Sequence, residues 1–83
     1  MPFYAYILRN PDGRTYVGQT NDPARRLVQH NDPEHRGSLY TKRYRGPWTL
    51  IHKEEFSTRS EAMKRERELK SGKGREWIKK NFP

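Results

Sequence analysis

Phe3-Tyr4-Ala5-Tyr6-Ile7-Leu8, then Asn10-Pro11-Asp12-Gly13, then Thr15-Tyr16-Val17-Gly18-Gln19-Thr20: the reading of this stretch decides the fold. Two runs rich in aromatic and β-branched residues flank a turn, and such residues suit a pleated, packed surface. Pro11 presets φ, Asp12 can bond back to the backbone and Gly13 accepts positive φ, so the stretch predicts a β-hairpin. The first run is almost continuously apolar or aromatic, which predicts a central strand covered on both faces. Tyr4, Tyr6 and Leu8 share one face; Phe3, Ala5 and Ile7 share the other. Tyr4, Tyr6 and Tyr16 give the hairpin a phenol density that core packing alone does not demand. Gly18 interrupts the second run, where it either marks a bulge or clears space for a substrate beside Tyr16.

Beyond the hairpin, Asp22 and Pro23 have the chemistry of a helix cap and a first helical position. Ala24, Leu27, Val28 and Asn31 form one stripe of that helix, predicted to face inward. Arg26 and His30 are four apart on a different stripe, either an ordinary solvated face or one that reaches a ligand. The polar segment from Asn31 to Gly37 reads as a loop. From Ser38 to Arg45, Tyr40 and Tyr44 alternate with Lys42, Arg43 and Arg45. That mixture suits phosphate contact and base stacking, or a short helix whose tyrosines plug the core edge. Trp48 to Phe56 reads as a third strand, with Trp48, Leu50 and His52 on one face and Thr49, Ile51 and Lys53 on the other. Thr58 and Glu61 match a capping box, predicting a helix to about Lys70, with a terminal helix from Lys73 to Lys80 that turns Trp77 and Ile78 inward. The fold class is therefore α+β, a three-stranded antiparallel sheet flanked by helices, in one domain over residues 1–83.

Composition narrows the function. The formal charge of +8 and pI near 10.1 favour an anionic partner, most often nucleic acid. Half of the Lys and Arg residues fall from Arg59 onward, which makes Lys70 and Lys73 part of a candidate phosphate-facing surface. Without cysteine, disulfides and thiolate metal sites are excluded, and a reducing, cytoplasmic setting is expected. No apolar run approaches the roughly 20 residues of a bilayer span, and no charged-then-apolar leader opens the chain. Phosphate-binding Gly-rich loops, His-Glu-x-x-His zinc helices and nucleophile elbows are also missing from the sequence.

Glu66 is the informative carboxylate. It follows Ala62 by four and Met63 by three, and precedes Leu69 by three, so it sits on the predicted apolar stripe. A carboxylate there is costly unless paired with Arg or Lys, or bound to a cation such as Mg²⁺. Arg26 offers a planar fork for phosphate oxygens, His30 can exchange a proton near neutral pH, and a tyrosine becomes a base if a cation lowers its pKa. These parts suit phosphodiester hydrolysis.

The ordered set resembles the GIY-YIG nuclease superfamily, in particular its small single-domain bacterial branch. Tyr4-Ala5-Tyr6 stands where the family often has Gly-Ile-Tyr, and Tyr16-Val17-Gly18 matches its second motif. Asp22 to Asn31 looks like the family's first helix, with Arg26 at the active-site arginine and His30 at the following His or Tyr. Thr58 to Lys70 resembles the helix bearing the metal-binding glutamate, here Glu66. Asn81 is the candidate for a polar residue near the C-terminus that completes the site. The resemblance implies an endonuclease that cuts DNA (branched, flapped or single-stranded) with Mg²⁺ or Mn²⁺ on Glu66. Arg26 would hold the scissile phosphate, and Tyr6 or Tyr16 would position or deprotonate water. The family's larger members carry separate DNA-recognition domains; with none here, backbone shape rather than sequence is expected to be read. A binding module of the same fold with weak or no catalysis, or a basic adaptor for an acidic protein, are the competing expectations.

Overall fold

A computed structural model of the chain describes residues 2–35 and 39–83. The elements run β1 (Phe3–Arg9), β2 (Thr15–Thr20), α1 (Pro23–Asn31), α2 (Leu39–Arg43), β3 (Thr49–Phe56), α3 (Arg59–Lys70) and α4 (Gly72–Asn81). Gly37 and Ser38, placed by the sequence in a loop and at the start of the next segment, lie outside the described residues. The three strands form one antiparallel sheet in the order β2-β1-β3, so the hairpin's first strand is central, as its apolar run predicts. Ala5, Tyr6, Ile7 and Leu8 are all buried.

The alternation of β1 builds two different cores. Ala5 and Ile7 join Val17, Leu69 and Ile78 under α3 and α4, with Ile51, Phe56, Trp77 and Phe82 around them. Tyr6 and Leu8 join Trp48 on the opposite face, with Tyr16, Leu27, Tyr44 and Leu50 packed alongside. The hairpin turn uses Gly13 at φ 84°, the positive φ expected of it. The side chain that braces the turn is Asn10, not Asp12: its Oδ1 accepts from the backbone N–H of Asp12 and of Arg14. Asp12 instead pairs with Arg45 at 2.8 Å.

The helix starts follow the sequence. Asp22 accepts from the Arg25 N–H, with Pro23 at the first helical position. Thr58 and Glu61 complete their capping box.

Three faces depart from expectation. In α1, Pro23 and His30 are buried while Val28 is 68% exposed and Ala24 is exposed, so the Arg26–His30 side turns toward the sheet. Hydrogen bonds to His30 decide this over the count of apolar residues. In β3, an irregularity opposite Ile7/Leu8 pairs Leu8 with Leu50 but Ile7 with His52. One extra residue reverses the alternation, so His52 leaves the Leu50 face and lies against Trp77 and Phe82. In α3, Ala62 and Leu69 are buried, but Met63 is 39% exposed and lies off the inward stripe.

Candidate active site

The site begins at the centre of β1. Tyr6 is 1% exposed, and its ring lies over its cross-strand partner Gly18. A Cβ on Gly18 would stand 2.6 Å from the Tyr6 hydroxyl oxygen and 2.7 Å from its Cζ. Gly18 therefore clears space for Tyr6, not for a substrate beside Tyr16, and β1 and β2 pair through it without a bulge.

Tyr6 Oη and His30 Nε2 share a hydrogen bond of 2.9 Å, and His30 Nδ1 shares one of 2.8 Å with Thr41 Oγ1. Both imidazole nitrogens are satisfied inside the protein, which lets α1 bury a polar ring at 3% exposure. Burial first, then the positive charges of Arg26 and Lys42, hold the His30 pKa down to about 4. His30 is neutral at physiological pH, so one ring nitrogen donates while the other accepts. Burial is also the main force that raises the Tyr6 pKa, with Tyr16 and Glu66 adding to it. Arg26 is the nearby cation that pulls it down.

Tyr16 stands across the hairpin from Tyr6 with ring centres 6.3 Å apart, and 4.8 Å from the His30 ring. Lys70 brings its ammonium to 5.9 Å from the centre of the Tyr16 ring and pairs with Glu66 at 3.0 Å. Glu66 keeps 21% of its side chain exposed. Tyr6, Tyr16, Arg26, His30 and Glu66 thus meet in one region, drawn from β1, β2, α1 and α3. Arg26 is held by Gln29 at 2.8 Å.

The chain matches the GIY-YIG catalytic domain over residues 2–81. The chain belongs to this family. A UPF0213 protein of Staphylococcus saprophyticus is 43% identical over 68 residues, covering 82% of this chain and 79% of its own. A UPF0213 protein of Haloquadratum walsbyi is 47% identical over 68 residues, covering 82% and 73%. The solution structure of a UPF0213 protein from Bacillus halodurans superposes with a TM-score of 0.56 at 37% identity, covering 99% of this chain and 86% of that one.

The residue singled out from the GIY-YIG resemblance near the C-terminus, and the basic residues singled out by charge and aromatic neighbours, stand apart. Asn81 is at the end of α4, where its Nδ2 donates to the Trp77 carbonyl at 2.8 Å and makes no hydrogen bond to the cluster. Lys42 closes the C-terminus of α1, donating to the carbonyls of Gln29, His30 and Asp32. Arg45 is engaged with Asp12. Arg43 and Lys73 are exposed, on α2 and α4. Thr41 escaped the sequence reading: nothing in Tyr40-Thr41-Lys42 marks it, because its partner His30 is eleven residues away.

Among the described residues, no three His, Asp or Glu side chains gather as a metal site. A single carboxylate such as Glu66 is compatible with Mg²⁺, which commonly takes one or two carboxylates and fills its shell with waters and substrate phosphate oxygens. Lys70 would have to release the carboxylate.

Proposed function

We propose that this GIY-YIG protein is a metal-dependent endonuclease that hydrolyses DNA phosphodiester bonds with Mg²⁺ or Mn²⁺. The observation that carries the reading is the electrostatic setting of Tyr6. Arg26 and Glu66 act with opposite sign on a phenol whose hydroxyl is locked to a neutral, buried imidazole at 2.9 Å.

The division of labour follows from access. Arg26 binds the scissile phosphate through its planar fork. Tyr16, half-buried, meets the substrate, while Tyr6 forms the floor. His30 is a positioning residue: Thr41 fixes one nitrogen, and the other fixes Tyr6. With its pKa near 4, His30 is a poor proton store and a good neutral partner. Glu66 would hold the divalent cation, which when bound neutralises charge on the phosphate and leaving oxygen. Tyr6 could accept a proton from water only after positive charge from Arg26 and the cation offset its burial.

The test is a panel of labelled duplex, branched, flapped and single-stranded DNAs with Mg²⁺ or Mn²⁺, run beside Glu66→Ala. Cleavage that vanishes in the variant while binding persists supports the reading. Wild-type protein that cuts no DNA with either cation overturns it. The Glu66–Lys70 ion pair favours one second reading, a nucleic-acid-binding module with little catalysis, because it occupies the carboxylate that a cation would need.

A further inference from the structure

A cavity of about 590 Å³ opens along the free edge of β2, within the range of roughly 300–1,000 Å³ typical of small-ligand sites. Its floor is apolar, with Leu69 and Ile78 from the core beneath α3 and α4. Tyr16 and Tyr40 line it with ring centres 5.7 Å apart. Lys70, Arg75 and Lys79 also line it, and among the described residues no carboxylate does. Arg75 and Lys79 have no ion-pair partner among the described residues. Uncompensated cations beside an apolar, aromatic floor call for a ligand that is flat and apolar in one part and anionic in another.

The cavity adjoins the candidate active site at Tyr16, which lines the cavity and also packs near Tyr6 and His30. A strand whose phosphate sits at Arg26 beside Tyr16 can pass its neighbouring nucleotide over that ring into the cavity. We infer that this groove takes one unstacked nucleotide flanking the scissile bond, its base against Tyr16 and Tyr40 and its phosphate on Arg75 and Lys79. The inference rests on the phosphodiester reading of the adjoining site. An aromatic surface next to unpaired cations is the arrangement that binds splayed bases regardless of sequence. An acidic peptide would satisfy the cations but leave the floor without a flat partner.

The experiment reads binding, not cleavage. The full chain is titrated in chelator and low salt with a short thymidine oligonucleotide carrying one fluorescent adenine analogue. Wild type should bind and dim the probe as it stacks. Tyr40→Ala should weaken binding by about tenfold or more and restore the probe's brightness. Lys79→Gln, on the exposed side of α4, covers the case in which Tyr40→Ala fails to fold. It should flatten the logarithmic salt dependence by about 0.7. No binding, wild-type behaviour in Lys79→Gln or in folded Tyr40→Ala, or equal competition by polyglutamate would each overturn the inference. Cleavage with a probe that stays bright removes the groove and leaves the endonuclease standing; dimming in a protein that never cuts does the reverse.

Discussion

Gly18→Ala tests whether the site is as tightly built as the geometry indicates. The new methyl carbon would lie 2.6 Å from Tyr6 Oη, 2.7 Å from Cζ and 3.0 Å from Cε1, all inside van der Waals contact. The Tyr6 ring has nowhere to retreat, because it is 1% exposed and its hydroxyl is bonded to His30 at 2.9 Å. Overpacking of this kind costs about 1–3 kcal/mol, and losing the hydrogen bond adds roughly 0.5–1.5 kcal/mol. The expected total is about 1.5–4.5 kcal/mol, read as a lower urea midpoint at unchanged slope. Tyr6→Phe provides an internal control. It removes the nearest atom but leaves Cζ at 2.7 Å, so most of the alanine penalty should persist in that background. Tyr6→Ala removes the ring, and the penalty of Gly18→Ala should then nearly vanish. The reasoning is refuted if Gly18→Ala lies within about 0.5 kcal/mol of wild type, or costs as much without the Tyr6 ring as with it.

Thr41→Val keeps the shape but removes the hydroxyl that satisfies His30 Nδ1, and should cost about 1–3 kcal/mol in urea unfolding; an unchanged midpoint would show that Thr41 does not hold the imidazole. Stability should fall as pH drops from 6.5 toward 4, because the unfolded chain protonates His30 in that window and the native chain, with its pKa near 4, does not. The loss should reach on the order of 3 kcal/mol, and His30→Gln should flatten this slope; a wild-type slope in that variant would place its origin elsewhere. If Tyr6 takes the proton, the cleavage rate should climb about tenfold per pH unit below the pKa to which Arg26 and the cation bring its buried phenol. A rate flat from pH 6 upward would exclude Tyr6 as the base.

What was legible in the sequence was local. The hairpin, the central strand, the cap at Asp22 and the capping box at Thr58 each rest on residues within a few positions of one another. The misread faces rest on distant partners. Val28 lost its place to His30 because apolar counting scores an imidazole as polar, while the fold supplies both of its hydrogen bonds from β1 and α2. His52 changed face through an extra residue that no glycine announces. Lys42 looked like a free phosphate contact until its ammonium met the last carbonyls of α1, across a connection invisible to periodicity. The candidate site behaved in between: its residue types and order were readable, whereas the clearance at Gly18 and the support from Thr41 emerge only when β2 and α2 are laid beside Tyr6.

The two sheet faces explain how a chain with only 30% hydrophobic residues can fold and still present a polar site. Beneath α3 and α4, Ala5, Ile7, Val17, Leu69 and Ile78 make an aliphatic core with no polar atoms to satisfy in their side chains. The opposite face is packed largely by Tyr6, Tyr16, Tyr44 and Trp48, which bury large areas but each carry a donor. That face is stable only while those donors find partners. Tyr6 finds His30, and the Trp48 indole donates to the Thr41 carbonyl at 3.2 Å. Trp48 is also gripped by Asn31, whose amide bonds both its N–H and its carbonyl. Helix α1 is thus attached to the sheet through hydrogen bonds as much as through Leu27. Replacing this network with aliphatic side chains would keep the volume and could raise stability, but it would remove the Tyr6 phenol and the His30 imidazole that positions it. The leanness of the core and the chemistry of the site have one cause: one of the two faces of a single central strand is spent on tyrosine.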